Sequence, residues 1–88
     1  MAILTSTTVP GMSRNKYEEV AGAVIGQLKT TPGFVTHYAY EAEDGMTVVE
    51  IWESAEQHDA WFDTTIKPHL PEGVTPRKHA LVNRVDAG

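Results

Sequence analysis

The sequence predicts an α+β domain with the element order βαββαβ, the ferredoxin-like arrangement of a four-stranded antiparallel sheet with two helices. Three observations predict this fold. A segment rich in β-branched residues begins the chain and a strand-like segment lies near its end, amphipathic helical segments follow Ser13 and Ser54, and two strand-like runs lie between these helices. A chain of 88 residues has room for one domain, which we assign to residues 1–88.

Composition and charge limit the classes of function. The net charge is −5 and the seven basic residues are scattered, which argues against nucleic-acid binding and against an anionic membrane surface. The N-terminus lacks the features of a secretory signal, and no segment approaches the ~18 apolar residues of a membrane span, so we expect a cytoplasmic protein. There is no cysteine, which excludes disulfides and thiolate zinc sites, and we expect no metal site. Domains this small often gain stability by self-association.

The first strand and helix have clear boundaries. Residues 2–9 are mostly β-branched and end at Pro10-Gly11, which predicts a strand closed by a turn. Ser13 is the predicted N-cap of the first helix. The apolar side chains of this helix recur at helical spacing and form one stripe: Tyr17, Val20, Ala21, Val24, Ile25 and Leu28.

A hairpin is predicted in the middle of the chain. Residues 34–42 and 46–53 flank Asp44-Gly45, a pair suited to the positive φ angles of a two-residue turn. In the resulting register, His37 lies opposite Trp52.

That register divides the hairpin side chains between two faces. Tyr38 then opposes Ile51 and Tyr40 opposes Val49, and we expect this more apolar face to be covered by the helices. The face with Trp52 would be left open. A second sheet packed against it is therefore expected, which makes the protein a homodimer.

The second helix and the last strand complete the pattern. Ser54 with Gln57 three residues later resembles a capping box. The helix carries one stripe of side chains and is expected to end near Pro68: His58, Trp61, Phe62, Thr65 and Ile66. Trp61 and Phe62 are adjacent, so we do not expect both to point straight at the sheet; one should line a cavity edge or the protomer contact, and we favour Trp61 for the cavity. Residues 77–85 predict the last strand.

Residues 50–54 (Glu-Ile-Trp-Glu-Ser), followed by a helix rich in Ala, Glu and Gln, resemble the antibiotic biosynthesis monooxygenase-like (ABM) domains of the dimeric α+β barrel superfamily. Pro32-Gly33-Phe34 is similar to the usual entry of these domains into the second strand. The resemblance implies two protomers paired sheet to sheet, each with a ligand cavity between its sheet and helices. Members include cofactor-free monooxygenases that act on polyketide phenols, haem-degrading enzymes and isomerases.

The haem-degrading branch uses an asparagine in strand one, a tryptophan in helix two and a histidine about ten residues later. Trp61 matches the tryptophan. Strand one has Ser6 and threonines but no asparagine, and His69 follows Pro68 at a shorter spacing. Haem binding is therefore the weaker alternative.

His37 and Glu50 are the predicted catalytic pair. Both are polar residues within an apolar hairpin, and a carboxylate beside an imidazole suits proton transfer near neutral pH. The competing interpretation is a His–Glu hydrogen bond that only fixes the dimer interface.

Aromatic and histidine side chains near this pair are the predicted substrate-binding residues: Trp52, Tyr38, Tyr40, Trp61 and His69. Packing in the core or the dimer interface is the competing interpretation for the aromatic residues. The sequence has no Gly-rich phosphate loop or dinucleotide fingerprint, so we expect no cofactor. The leading hypothesis is a cofactor-independent monooxygenase, cyclase or isomerase that acts on an aromatic or polyketide-like molecule. The alternative is a non-catalytic binding or assembly dimer with a vestigial pocket.

Overall fold

The computed structural model describes residues 1–88 and contains one four-stranded antiparallel sheet. Its strands lie in the order β2-β3-β1-β4, and their bounds are β1 (Ile3–Pro10), β2 (Phe34–Ala42), β3 (Gly45–Trp52) and β4 (Arg77–Ala80). Helix α1 (Arg14–Leu28) connects β1 to β2, and helix α2 (Ala55–Trp61) follows β3. The predicted ferredoxin-like α+β fold is confirmed. No helix combines the length and apolar character that crossing a membrane requires.

Both helices begin where the sequence predicts. The Ser13 hydroxyl accepts a hydrogen bond from the Lys16 N–H (3.1 Å), and the Ser54 hydroxyl accepts one from the Gln57 N–H (3.2 Å). These contacts satisfy amide groups that the first turn of a helix leaves without partners. The last strand is shorter than predicted and ends at Ala80, because β1, its only neighbour in the sheet, begins at Ile3.

The predicted hairpin turn is displaced by one residue. Ala42 pairs with Gly45, so Glu43 and Asp44 form the turn and Gly45 begins β3. Gly45 lacks a positive φ angle. It is needed for a different reason: a Cβ built on it would overlap the carbonyl oxygen of Val9 in β1. A close approach between strands, rather than turn geometry, therefore requires this glycine.

This displacement corrects the predicted register by two residues. His37 lies opposite Glu50, not Trp52. Tyr38 lies opposite Val49 and not Ile51, and Tyr40 opposes Thr47 and not Val49. Because side chains alternate along a strand, a shift of two residues keeps His37 and Glu50 on one face with Trp52.

The assignment of faces was wrong. Tyr38 and Tyr40 are 52% and 56% exposed and lie on the face that the helices leave open. The helices cover the opposite face, where Trp52 is fully buried. The core on that face is a cluster of four buried side chains: Leu28, Trp52, Trp61 and Phe62. The predicted reason for a dimer, an open face with Trp52, therefore does not hold.

A change of helix type follows α2. Residues Phe62–Ile66 form a π-helical turn, closed by a hydrogen bond from the Lys67 N–H to the Phe62 carbonyl, and Lys67–His69 form a 3₁₀ turn. A π turn inserts an extra residue per turn and changes the direction of the side chains that follow. Trp61 lines the cavity, as expected, and Phe62, which is equally buried, lines it too.

Candidate functional site

A largely apolar cavity of about 70 Å³ lies between the sheet and the two helices. Side chains of α1 form one wall, and those of α2 and the π turn form another. The sheet contributes polar side chains to the cavity, His37 and Glu50 among them. Polar groups in such a setting require partners, because a buried polar group without one costs free energy.

Glu50 is the buried carboxylate of the site, with 4% of its surface exposed. One carboxylate oxygen accepts the Trp52 indole N–H (3.0 Å), and the other contacts His37 Nδ1 (2.7 Å). A carboxylate can only accept hydrogen bonds, so His37 Nδ1 carries a proton. Glu50 therefore fixes the orientation and the tautomer of His37.

Tyr17 of α1 extends this arrangement to the opposite wall of the cavity. Its hydroxyl lies 2.6 Å from His37 Nε2, and the two rings are stacked with centroids 6.2 Å apart. Since Nδ1 of a neutral His37 is protonated, Nε2 is the acceptor and the Tyr17 hydroxyl donates. The result is a chain of two hydrogen bonds, Tyr17 to His37 to Glu50, which we call the relay.

Burial raises the pKa of the Tyr17 hydroxyl, and the negative charge of Glu50 raises it further. Both causes disfavour the phenolate. Tyr17 thus stays protonated at neutral pH and donates this proton to His37, so its oxygen is the group that can accept a hydrogen bond from a ligand in the cavity.

A second imidazole lies on the α2 side. His58 is 2% exposed, stacks on Phe62 (centroids 5.5 Å apart) and meets the edge of Trp52 (5.6 Å). Its Nδ1 lies 3.0 Å from an oxygen of Asp59, and Lys78 Nζ lies 2.8 Å and 2.9 Å from the two oxygens of that carboxylate. The hydrogen bond from Lys78 is the main cause that lowers the pKa of Asp59, while partial burial opposes it.

Trp61 contributes a buried donor without a partner. Its side chain lines the cavity with only 7% of the residue exposed, and its indole Nε1 makes no hydrogen bond. The other indole of the site, that of Trp52, is satisfied by Glu50. A buried N–H without an acceptor is unusual, and in a cavity wall it indicates a place for a ligand oxygen or a water.

The comparison with known families is decisive for classification. The sequence model of the antibiotic biosynthesis monooxygenase (ABM) family matches residues 1–69. The chain belongs to the ABM family. The resemblance inferred from residues 50–54 is thereby confirmed. No curated protein is similar enough in sequence to match this ABM chain.

Several solved structures share the fold of this ABM protein. A haem-degrading protein from Mycobacterium tuberculosis, solved free of haem, is 21% identical, with 99% of this chain and 98% of that chain aligned and a TM-score of 0.70. A putative antibiotic biosynthesis monooxygenase from Chloroflexus aurantiacus is 12% identical over all of both chains, with a TM-score of 0.68. SnoaB, a cofactor-independent oxygenase from Streptomyces nogalater, is 14% identical over 97% of this chain and 94% of that chain, with a TM-score of 0.61. At these identities the likeness shows the fold alone.

The structure brings only some of the predicted site residues together. His37, Glu50 and Trp61 line the cavity. Trp52 lies behind them, where it packs in the core and donates to Glu50. Tyr38 and Tyr40 are on the open face of the sheet and His69 is exposed in the 3₁₀ turn, so none of these three lines the cavity.

Two polar residues of the cavity wall were missing from the predicted site. Tyr17 was assigned only to the apolar stripe of α1, and His58 only to the stripe of α2. Their positions on these stripes indicate that both side chains face the cavity, because the stripes face the covered side of the sheet. With His37 and Glu50 placed on that side, Tyr17 becomes their nearest possible partner on α1.

Proposed function

We propose that this ABM protein is a cofactor-independent enzyme that removes a proton from a small aromatic molecule with a phenolic or enolisable oxygen. Monooxygenases, cyclases and isomerases that act on such compounds share this step. The relay of Tyr17, His37 and Glu50 at the wall of an apolar cavity is the observation that carries the proposal. Perturbed titratable groups in a sheltered cavity are typical of acid–base sites.

The relay can take up one proton and hold it on His37, beside the Glu50 carboxylate. A ligand hydroxyl that donates to the Tyr17 oxygen loses its proton to Tyr17, while Tyr17 passes its own proton to His37 Nε2. The Glu50 carboxylate, 2.7 Å from His37 Nδ1, then stabilises the imidazolium. The raised pKa of Tyr17 means that the proton rests on His37 and that Tyr17 only conducts it.

The unpartnered indole N–H of Trp61 supports an oxygen-bearing ligand. Proton removal leaves negative charge on the ligand oxygen, and a preorganised N–H donor in an apolar cavity stabilises such charge more strongly than water does. A hydrocarbon without an acceptor would leave this donor unsatisfied.

Cavity size limits the ligand. Pockets for drug-sized ligands measure about 300–1,000 Å³, so 70 Å³ is sufficient for part of a small ring system only. A polyketide-like molecule needs α1 to move away from the sheet.

Membership of the ABM family and the fold shared with SnoaB, a cofactor-independent oxygenase, support the monooxygenase form of the proposal. In that form, dioxygen is the second substrate. It oxidises the ligand anion, one oxygen atom enters the ligand as a carbonyl, and the other leaves as water.

Haem fits this site poorly, although haem-degrading proteins share the fold. His69, the only histidine near the position that the haem-degrading branch uses, is exposed and lies outside the cavity. Strand β1 contributes Thr7 and Val9 to the cavity wall and no asparagine. A small organic ligand is the better candidate.

A homodimer is part of the proposal. Proteins of the ABM family commonly dimerise and bind small molecules. The support in this chain is the open face of the sheet, where Tyr38 and Tyr40 are exposed beside Val49. Exposed aromatic side chains on a sheet that is covered on one side only are typical of an interface.

The test uses 4-nitrophenol, whose phenolate absorbs visible light and whose phenol does not. At a pH where the free probe is mostly un-ionised, we expect the bound probe to show the phenolate spectrum, because His37 takes up its proton. His37→Gln should bind the probe as the phenol. His69→Gln, a change outside the cavity, should behave as the wild type. Binding with an identical spectrum in all three proteins would favour the alternative of a non-catalytic binding protein.

A further inference from the structure

We infer that His58 is a second proton-transfer residue of the cavity, held in a defined tautomer by Asp59 and Lys78. This inference rests on the proposed function, because it assigns a second proton of the same reaction. It concerns a different wall of the cavity and residues that the relay does not include.

The geometry around His58 parallels that around His37. Each imidazole directs Nδ1 at a carboxylate, Glu50 at 2.7 Å and Asp59 at 3.0 Å. Each is among the residues that line the cavity. The two carboxylates differ in setting, since Glu50 is buried and Asp59 is partly exposed.

Asp59 acts as a positioning residue. The lowered pKa that Lys78 gives it keeps it ionised, so it accepts from His58 Nδ1 and does not take the proton itself. Nδ1–H is therefore the protonated nitrogen of neutral His58, and Nε2 carries the lone pair. No side chain occupies that Nε2, whereas His37 Nε2 is engaged by Tyr17.

The chemistry of the proposed oxygenation requires a second group. When a phenol with a ring C–H becomes a quinone, the ligand loses its hydroxyl proton and one ring proton, and O₂ is converted into one carbonyl oxygen and one water. The relay takes the hydroxyl proton and returns it to the peroxide that O₂ forms on the ring carbon of the phenolate. The C–H bond at that carbon then breaks as the O–O bond breaks, and its proton must go to a base while hydroxide leaves. His58 Nε2 accepts this proton and delivers it to the hydroxide, which leaves as water.

The position of His58 on α2 fits this role. His58 and Trp61 are three residues apart, so both lie on one side of the helix. Both residues line the cavity from the α2 side, and the indole N–H of Trp61 has no partner there. Lys78, which holds Asp59, belongs to β4 and lies beyond residues 1–69, the part that the family model matches.

Long-range ¹H–¹⁵N NMR spectra of the full chain test this inference, because they show which imidazole nitrogen carries the proton. We expect His58 of the wild type to be the Nδ1–H tautomer. Asp59→Ala, which removes the acceptor, should give a mixture with Nε2–H. Asp59→Asn retains an oxygen acceptor and should restore Nδ1–H. His58→Gln assigns the signals, and the exposed His69 and His79 are internal references.

Saturation with 4-nitrophenol separates this inference from the proposed function. We expect the His58 Nε2 resonance to shift as it accepts a hydrogen bond from the probe or from water displaced by it. A wild-type Nε2–H tautomer would overturn the inference. So would a His58 resonance that is unchanged while those of His37 move, and in that case the relay would stand alone. Failure of the probe to bind at all would remove the proposed function, and the inference with it.

Discussion

Glu50 allows the relay to be reversed without dismantling the fold. In Glu50→Gln, the amide oxygen can accept the Trp52 N–H, while the amide NH₂ faces His37 Nδ1. His37 satisfies that NH₂ by moving its own proton to Nε2, which then donates to the Tyr17 oxygen. The number of hydrogen bonds is conserved, but every donor along the relay becomes an acceptor.

The hydrogen bonds of Glu50 determine how much stability each substitution should cost. Glu50→Ala leaves two donors without an acceptor, the buried Trp52 N–H and the partly buried His37 N–H. At about 1–3 kcal/mol for each buried group without a partner, the free energy of unfolding should fall by about 2–6 kcal/mol. That is a large part of the about 5–15 kcal/mol typical of a domain. Glu50→Gln keeps its partners and should cost no more than about 1 kcal/mol.

Urea denaturation of both variants measures these differences, and long-range ¹H–¹⁵N spectra report the tautomer of His37. We expect Glu50→Gln to be nearly as stable as the wild type, with His37 as Nε2–H, and to bind 4-nitrophenol only as the phenol. A Glu50→Gln variant as unstable as Glu50→Ala, or one in which His37 remains Nδ1–H, would refute the proposed reversal of the relay.

Three further predictions follow from other parts of the molecule. Gly45→Ala should destabilise the fold by about 1–3 kcal/mol, because its Cβ meets the backbone of β1. Gly22→Ala lies in an open position on α1 and should stabilise the fold by up to about 1 kcal/mol. Thermal denaturation of the two variants measures both effects. One of the three tyrosines should ionise above the usual pH range, and Tyr17→Phe should remove that late component from the ultraviolet titration; an unchanged titration would contradict the burial of this hydroxyl. Because the pKa of Asp59 is lowered in the fold, its stabilising contribution is present at neutral pH and is lost as the pH falls below the ordinary aspartate range. Lys78→Met removes the main cause of the lowered pKa. The free energy of unfolding of this variant should therefore fall less steeply between pH about 5 and about 2 than that of the wild type.

Much of the fold was predictable because its signals are local. Ser13 and Ser54 cap their helices, and the order of strands and helices leaves few ways to build one sheet. The hairpin register was not predictable in the same way. Asp44-Gly45 has the composition of a tight turn, but Gly45 is required by a strand that lies far away in sequence. A contact between distant segments therefore decided the register.

The site was also predictable only in part. His37 and Glu50 stand out as polar residues in an apolar hairpin, and alternation places them on one face. The sequence nevertheless led to the prediction that the helices leave this face open. Tyr38 and Tyr40 make the other face the more apolar one, and the more apolar face was expected to be covered. That expectation is wrong because Tyr17 and Trp52 supply the hydrogen-bond partners that allow two polar side chains to be buried. Only the packed structure shows these partners.

The central claim is that the relay takes a proton from a bound phenol, and the protonation state of His37 tests it most directly. Long-range ¹H–¹⁵N spectra of the wild type saturated with 4-nitrophenol distinguish a neutral imidazole from an imidazolium. We predict that His37 becomes doubly protonated, with Nδ1–H bonded to Glu50 and Nε2–H facing Tyr17, while the bound probe shows its phenolate spectrum. A His37 that keeps only its Nδ1 proton in the saturated protein would contradict the account.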